Sequence, residues 1–442
     1  MNKKSKALPF YWLVVLLVLT SCSNDAGDRE KATDHENSNV NQREDVDYAN
    51  SKAELTIFSI ESPEMFEELF GQHIKQKFPN YKITYIGETS DQKIDHIIAS
   101  GTKIDIYIDR VGDLTRDYIP RGLAYDMTPL VEKHNIDLNR FEAGYVADGT
   151  FDESLFMLPL LDNKFVLYYN KDIFDKFGVA YPTDGMTWEE VFGLSKQITR
   201  SEGGKQYIGL WTSPKHFIRV NPLSLDFVDA ATSKAKVNMS EWKQFFDEVI
   251  FPWTSDPGIQ RRANENWLNH GDFNKEFNVA MYIYQDIWMA TAEDSLAMNW
   301  DIVSVPTFKD KPKVGMQAYT RSAGITATSK HKDAAMLVID YLTSEEFQMI
   351  LSRKGMITPL KSEQVRAEIY ADTPFKEDKN LQALFYNGIA PSRNYHQYDE
   401  HVINAFEKYI MEVSQGKMDE VTALRSAEEK ANQLIQEQSS QQ

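Results

Sequence analysis

The chain has 442 residues, of which 42% are hydrophobic and 12% aromatic, and its formal net charge is -18. That acidity argues against a nucleic-acid partner and against electrostatic attraction to an anionic lipid surface. The only cysteine is Cys22, so no disulfide can form within one chain.

Lys3, Lys4 and Lys6 precede an apolar stretch from Ala7 to Leu19 that is interrupted only by Pro9. A helix needs about 20 apolar residues to span a hydrocarbon core, so this run reads as an export signal and not as a membrane span. It leads into Leu19-Thr20-Ser21-Cys22, which resembles the bacterial lipobox. The resemblance implies removal of residues 1–21 and lipidation at Cys22, and two or more acyl chains at roughly 0.8 kcal/mol per methylene anchor a protein stably. Residues 22–50 are dominated by Asp, Glu, Asn and Ser, with no aromatic residue before Tyr48. They bury too little apolar surface to offset their ordering entropy and are expected to form a disordered tether. The predicted location is therefore the extracytoplasmic face of the cell membrane.

The roughly 390 residues that follow exceed one ordinary core and suit two lobes. Ala53 to Ile60 reads as a buried strand, and Met65, Phe66, Leu69 and Phe70 mark a helix that ends at Gly71 or runs through it. Tyr81 to Ile86 alternates as a second strand, Ile94, Ile97 and Ile98 mark a helix ending at Gly101, and Lys103 to Asp109 is a third strand. This alternation predicts parallel pairing through right-handed crossovers. Ligands of such sheets sit off the carboxyl ends of the strands, which here carry Glu61, Glu88, Asp109 and Arg110.

The next block runs Leu158-Pro159-Leu160-Leu161-Asp162-Asn163, then Lys164 to Asn170, Lys171-Asp172-Ile173-Phe174, Phe177-Gly178-Val179, Pro182 and Met186-Thr187-Trp188-Glu189-Glu190. It reads as a strand leaving one lobe, a short helix stopped by Gly178, and a new helix whose Thr187 and Glu190 have capping-box spacing. This block resembles the crossover signature of the family 1 extracellular solute-binding proteins of ABC importers, the maltose- and multiple-sugar-binding type. Further segments agree in order: Thr102 to Asp105, Val279 to Tyr282, Ile302 to Pro306, Gly324-Ile325, Ser329-Lys330, Asp333 to Leu342 and Ser344 to Gln348. The resemblance covers residues 53 to 436. The family's glycine in the later ligand loop is replaced by Tyr284 or Gln285, and a Gly-Gly pair by Ala318-Tyr319.

The resemblance implies a two-lobe α/β fold of the periplasmic-binding-protein type II, each lobe a mostly parallel sheet flanked by helices and joined by a hinge near residues 158–165 and 300–306. The first lobe is expected over 53–160 with 304–358, and the second over 161–303 with 359–436. Val402 to Met411 and Glu420 to Ile435 are expected to pack as helices outside the second lobe and to fray at the glutamine-rich end.

All seven tryptophans after the signal lie between residues 188 and 300. A sugar offers C–H faces and hydroxyl edges, so its binding needs flat rings and bidentate polar groups. Trp188 and Trp242 read as core, whereas family position favours the cleft for Trp211 and Trp288, and Trp253 after Pro252 suits either place. Tyr284 and Tyr319 lie where the family meets its ligand. The polar candidates are Glu61, Asp109, Arg110, Asp162, Asn163, Gln285, Asp286 and Arg321. Each has an alternative role as a surface ion pair or helix cap. The histidines show no His-x-x-x-His spacing, His134 and His216 read as surface or capping groups, and no metal or cofactor is expected.

The expected function is capture of a carbohydrate, an oligosaccharide or sugar derivative, between two lobes, and its delivery by a monomer to ABC permease subunits. A glycoside hydrolase or lyase would need two carboxylates about 5–10 Å apart across a cleft, and no recognisable catalytic motif supplies them. A binder of the same fold for a polyamine or ferric ion is the other alternative.

Overall fold

The computed structural model describes residues 51–89, 93–237, 240–265, 268–286, 288–289 and 296–440. The signal, Cys22, the tether and Trp267 lie outside the described residues.

The strand Ala53–Ser59 is buried over most of its length and pairs in parallel with Tyr81–Gly87 on one side and Ile106–Asp109 on the other. Helical crossovers force this parallel arrangement. The first crossover starts where the Ser62 side chain accepts a hydrogen bond from the Met65 backbone N–H, with Pro63 in the first helical turn. The helix then continues through Gly71, by way of a π-turn at Glu67–Gly71, to Lys77. Two antiparallel pairings complete the sheet: Thr320–Ile325 runs against Ile106–Asp109 on one side and against Leu158–Asp162 on the other.

The chain crosses between sheets at Asn163 and Lys164, and Phe165–Asn170 enters the second sheet fully buried. That sheet has the order Trp300–Ser304, Phe165–Asn170, Val279–Gln285, Lys205–Thr212, Arg200–Glu202. Only Val279–Gln285 with Lys205–Thr212 is parallel; the other three pairings are antiparallel. The expectation of a mostly parallel sheet therefore fails in this lobe. Phe165–Asn170 carries the chain away from the first lobe, and the strands flanking it bring the chain back, so they run opposite to it. As a result Thr212, Gln285 and Ser304 all end on the side of the crossover, as do Ser59, Gly87 and Asp109 of the first sheet.

Each sheet has its own core. Leu55, Ile57, Ile106, Ile108, Leu158, Leu160, Val338 and Ile339 pack in the first. Leu167, Tyr168, Ile208, Leu210, Trp242, Phe245, Met281 and Ile283 pack in the second. The strand Val314–Gln317 pairs with Gly388–Ala390, and Met316 belongs to the second core, so the returning chain stays with the second lobe until Thr320. The helices Asp399–Ser414 and Glu420–Ser439 lie on that lobe, with Phe406 packed 5.2 Å from Trp242 and 4.9 Å from Phe246. The last of them runs to Ser439, with Ala423, Ala427, Ala431 and Ile435 buried at helical spacing, and the final Gln441 and Gln442 lie outside the described residues.

The helix Trp188–Ile198 begins with both halves of the predicted capping box. The Glu190 N–H donates to Thr187 Oγ1 at 3.3 Å, and the Thr187 N–H donates to Glu190 Oε2 at 2.7 Å. Thr187→Ala is expected to lower stability by about 1 kcal/mol, read as a shift in the urea midpoint at constant slope.

Candidate ligand-binding cleft

The carboxyl end of the first sheet, the crossover and two helix-flanking segments of the second lobe frame a cavity of about 310 Å³. The first lobe contributes Ile60, Glu88 and the turn from Arg110 to Arg116. The second contributes Arg219, at the end of the short helix Pro214–Arg219, and the segment from Arg393 to Glu400 that leads into the helix Asp399–Ser414. Ala318, Tyr319 and Thr320, at the crossover, and Asp148 and Val220 also line it.

Four guanidinium groups meet here, each in an ion pair with a carboxylate. Arg219 Nη2 donates to both Glu400 oxygens, at 2.6 and 2.7 Å, and its Nη1 donates to the Tyr319 hydroxyl at 3.3 Å. Arg116 Nη2 lies 2.5 Å from both Asp113 Oδ1 and Asp117 Oδ2, and Arg393 Nη1 donates to Asp399. Arg110 is different: its guanidinium stacks 5.0 Å over the Tyr319 ring, and its nearest carboxylate, Asp113, is 3.8 Å away. Such bidentate and stacked geometries are where arginine outperforms lysine.

Asp109 lies buried behind Arg110. Burial holds its carboxyl well above the usual carboxylate range, and the charge of Asp113 and a hydrogen bond with it push in the same direction. For Asp113 burial also acts upward, but the hydrogen bond with Asp109 and the charges of Arg116 and Arg110 hold it below its ordinary value. Of the two, Asp109 is thus the one pushed toward its protonated form and Asp113 the one pushed toward its charged form. The Tyr118 hydroxyl, at 3.4 Å, donates to Asp109 Oδ2.

A run of rings leads from Tyr319 into the second lobe. His216 packs edge-on against Tyr319 at 6.1 Å and against Tyr284 at 5.4 Å. Tyr284 stacks on Tyr282 at 5.5 Å and meets the edge of Trp288 at 5.8 Å. Burial pushes the His216 imidazole down to about 3, with the charges of Arg219 and Arg110 adding to the effect, so the ring is neutral at physiological pH. Its Nδ1 is 2.8 Å from Ser213 Oγ. His216 is thus a half-buried member of the ring cluster and not merely the surface or capping group expected.

The predicted residues divide by location. Arg110 and Tyr319 line the cavity, and Tyr284 and Trp288 continue its aromatic side. Glu61, Asn163, Gln285 and Arg321 line a separate groove of about 520 Å³, where Arg321 Nε pairs with Glu61 Oε1 at 2.6 Å. Asp162 is buried at the crossover, accepting from the Tyr319 N–H at 2.9 Å and the Tyr145 hydroxyl at 2.7 Å. Asp286 is buried at the end of its strand, next to the Tyr168 and Tyr370 hydroxyls that bond its carbonyl. Trp211 and Trp253 meet edge-on at 5.1 Å, each 2% exposed or less, so both are packing residues of the second core. Family position misled for Trp211 because Phe251–Thr254 closes over that face of the strand.

Several cleft residues escaped the sequence reading: Asp113, Arg116, Asp148, Arg219, Arg393, Tyr395, Asp399 and Glu400. The available signal was the run from Arg393 to Glu400, which interleaves aromatic, histidine and charged residues just before an amphipathic helix.

Residues 59–349 match the family model described as bacterial extracellular solute-binding protein. Three solved structures are similar in fold. The ABC substrate-binding protein Lmo0181 from Listeria monocytogenes, in complex with cycloalternan, has a TM-score of 0.71 at 17% identity, covering 87% of this chain and 99% of its own. The sugar transporter RHE_PF00321 from Rhizobium etli, in an open conformation, has a TM-score of 0.68 at 20% identity, covering 86% and 99%. The sugar-binding protein MalE from Xanthomonas citri has a TM-score of 0.66 at 15% identity, covering 87% and 98%. These structures share the two-lobe α/β architecture, and the family match runs through both sheets and the crossover between them. The chain belongs to the bacterial extracellular solute-binding protein family.

Proposed function

We propose that this protein captures a carbohydrate between its two lobes and delivers it to an ABC import permease, anchored outside the membrane through lipid on Cys22. The observation that carries this reading is the composition of the cleft. A tyrosine ring at the crossover, a neutral histidine and further rings adjoin arginine and carboxylate groups drawn from both lobes. Flat rings suit the C–H faces of a sugar, and fixed charged edges suit paired hydroxyls. The Listeria and Xanthomonas proteins, named as cycloalternan-bound and sugar-binding, support the same ligand class.

Arg110 and Arg219 come from different lobes. A ligand that touches both binds the closed form more tightly than the open one, which is the condition for ligand-driven closure. The closed monomer then docks on the permease.

A thermal-shift panel of mono- and oligosaccharides, a polyamine and ferric citrate tests the reading with the full-length protein in detergent. A true ligand at 100 times its dissociation constant adds about 2.7 kcal/mol of stability. Stabilisation by the polyamine or iron, with none by any saccharide, would overturn the carbohydrate reading.

A further inference from the structure

Segment 391–397 follows the strand Gly388–Ala390 and leads into the helix Asp399–Ser414, and its Arg393, Tyr395, His396 and Gln397 line the cavity. The second lobe holds this segment firmly. The Pro391 carbonyl accepts from Ser224 Oγ at 2.6 Å and from Gln317 Nε2 at 2.9 Å. Asn394 donates from its backbone N–H and its side-chain amide to the two oxygens of Asp226, at 2.9 and 3.1 Å. Arg393 stacks 4.5 Å over Phe227, a fully buried ring of the second core.

Toward the first lobe, two of its side chains make polar or ring contact among the described residues. Ser392 Oγ donates to Asp148, and the Tyr395 ring meets Phe151 edge-on at 6.5 Å. Arg393 stacks 4.1 Å over the same Tyr395 ring and steadies it. Phe151 belongs to the short hairpin of Thr150–Phe151 with Ser154–Leu155, and it packs on the first-lobe cluster of Phe58, Tyr107 and Met157. The turn residues Asp152 and Glu153 have φ of 47° and 66°, the left-handed geometry of a two-residue hairpin turn, so Phe151 is presented at a fixed place beside that turn. Phe151 and Ser392 both lie outside the cavity lining.

A rotation of the lobes carries this segment with the second lobe and parts its two contacts with the first. Contacts made only when the lobes are together favour the closed form by their own free energy. We propose that segment 391–397 is an interlobe strap, in which Ser392 and Tyr395 latch the second lobe onto Asp148 and Phe151 and so set how long a bound saccharide is retained. Phe151 and Ser392 are then positioning residues, which act on the saccharide through Tyr395 and the closed cleft without touching it. The proposal rests on the closure over a carbohydrate described above. A ring pair or hydrogen bond of this kind shifts the closed–open balance about fivefold. Because the latch forms after the sugar has entered, the effect falls on the dissociation rate.

The test is stopped-flow tryptophan fluorescence on the full-length protein in detergent with mannobiose, mannotriose and maltotriose. Phe151→Ala and Ser392→Ala should each speed dissociation about fivefold and leave association within about twofold of the wild type. Phe151→Tyr keeps a ring against Tyr395 and should keep the wild-type rate. Ser154→Ala is the control for the hairpin itself: it removes the bond from Ser154 Oγ to Asp126 within the first lobe and should leave the dissociation rate unchanged, whatever it does to the melting temperature. A nitroxide pair at Lys82→Cys and Lys243→Cys in the Cys22→Ser chain, exposed positions on the first and second lobes, reads the interlobe distance without any sugar. Phe151→Ala and Ser392→Ala should broaden that distance distribution.

If a sugar binds and neither variant changes its dissociation rate, or Ser154→Ala changes it as much as Phe151→Ala does, the latch falls while the carbohydrate reading stands. If none of the sugars binds, that result counts against the carbohydrate reading, and the distances decide the latch: identical distributions in the wild type and both variants overturn it.

Discussion

Replacing Asp162 by alanine is expected to destabilise the protein by about 4 kcal/mol and to weaken ligand binding, whereas asparagine should preserve most of both. Asp162 sits where the chain passes from one sheet to the other, 3% exposed, and its two oxygens hold separate elements. One accepts from the backbone N–H of Tyr319, the other from the hydroxyl of Tyr145 on the helix Ala143–Asp148. Alanine leaves both donors buried and unsatisfied, each at about 1–3 kcal/mol. It also frees the Tyr319 backbone, and with it the ring under Arg110. Asparagine keeps a carbonyl oxygen for Tyr319 and gives up a charge that burial already disfavours, since the Asp162 carboxyl is raised above its ordinary range. Urea denaturation of the two variants separates the cases. An alanine variant with the wild-type midpoint would show that the crossover does not depend on this carboxylate.

Much of the first lobe was legible because its information is local. The apolar run Ala53 to Ile60, the helical spacing after Pro63 and the alternation of Tyr81 to Ile86 each specify an element, and short crossovers then dictate parallel pairing. The Thr187–Glu190 box was equally local. Strand direction in the second sheet was not, because it depends on which strands carry the chain out of the first lobe and which return it. The cleft charges were hidden for a related reason. Arg219 meets Glu400 across 181 residues of sequence, and neither lies at a strand end, where ligand groups were sought. Trp211 shows the opposite failure. It does sit at a strand end, but both faces of its strand are covered, so position alone could not tell core from cleft.

The second large effect is expected from Asp148→Asn, and its sign depends on pH. Asp148 ends the first-lobe helix Ala143–Asp148 and bonds Ser392 Oγ. The segment containing Ser392 is fixed to the second lobe by Ser224 Oγ, which donates to the Pro391 carbonyl at 2.6 Å. The carboxyl therefore bridges the lobes. Burial pushes it up to about 7 from an ordinary value of 3.8, with the hydrogen bond from Ser392 opposing the shift, Asp162 adding to it, and Arg393 opposing it. Below the unfolded value both states are protonated and nothing is lost. Between that value and about 7 the unfolded chain ionises while the folded one does not, so stability falls as pH rises; above 7 the full penalty applies. A shift of about three units bounds the penalty at roughly 4 kcal/mol. Asparagine keeps an acceptor for Ser392 and cannot ionise. The variant should match the wild type at pH 4 and exceed it by about 2 kcal/mol at pH 8, allowing for relaxation and water entry around the charge. Because the contact with the second lobe helps bury this carboxyl, and burial disfavours its charge, wild-type ligand affinity should also weaken as pH rises through 7, while that of Asp148→Asn should not. Stability curves that stay parallel from pH 4 to pH 8 would show that Asp148 ionises normally and that the lobes do not close on a neutral carboxyl.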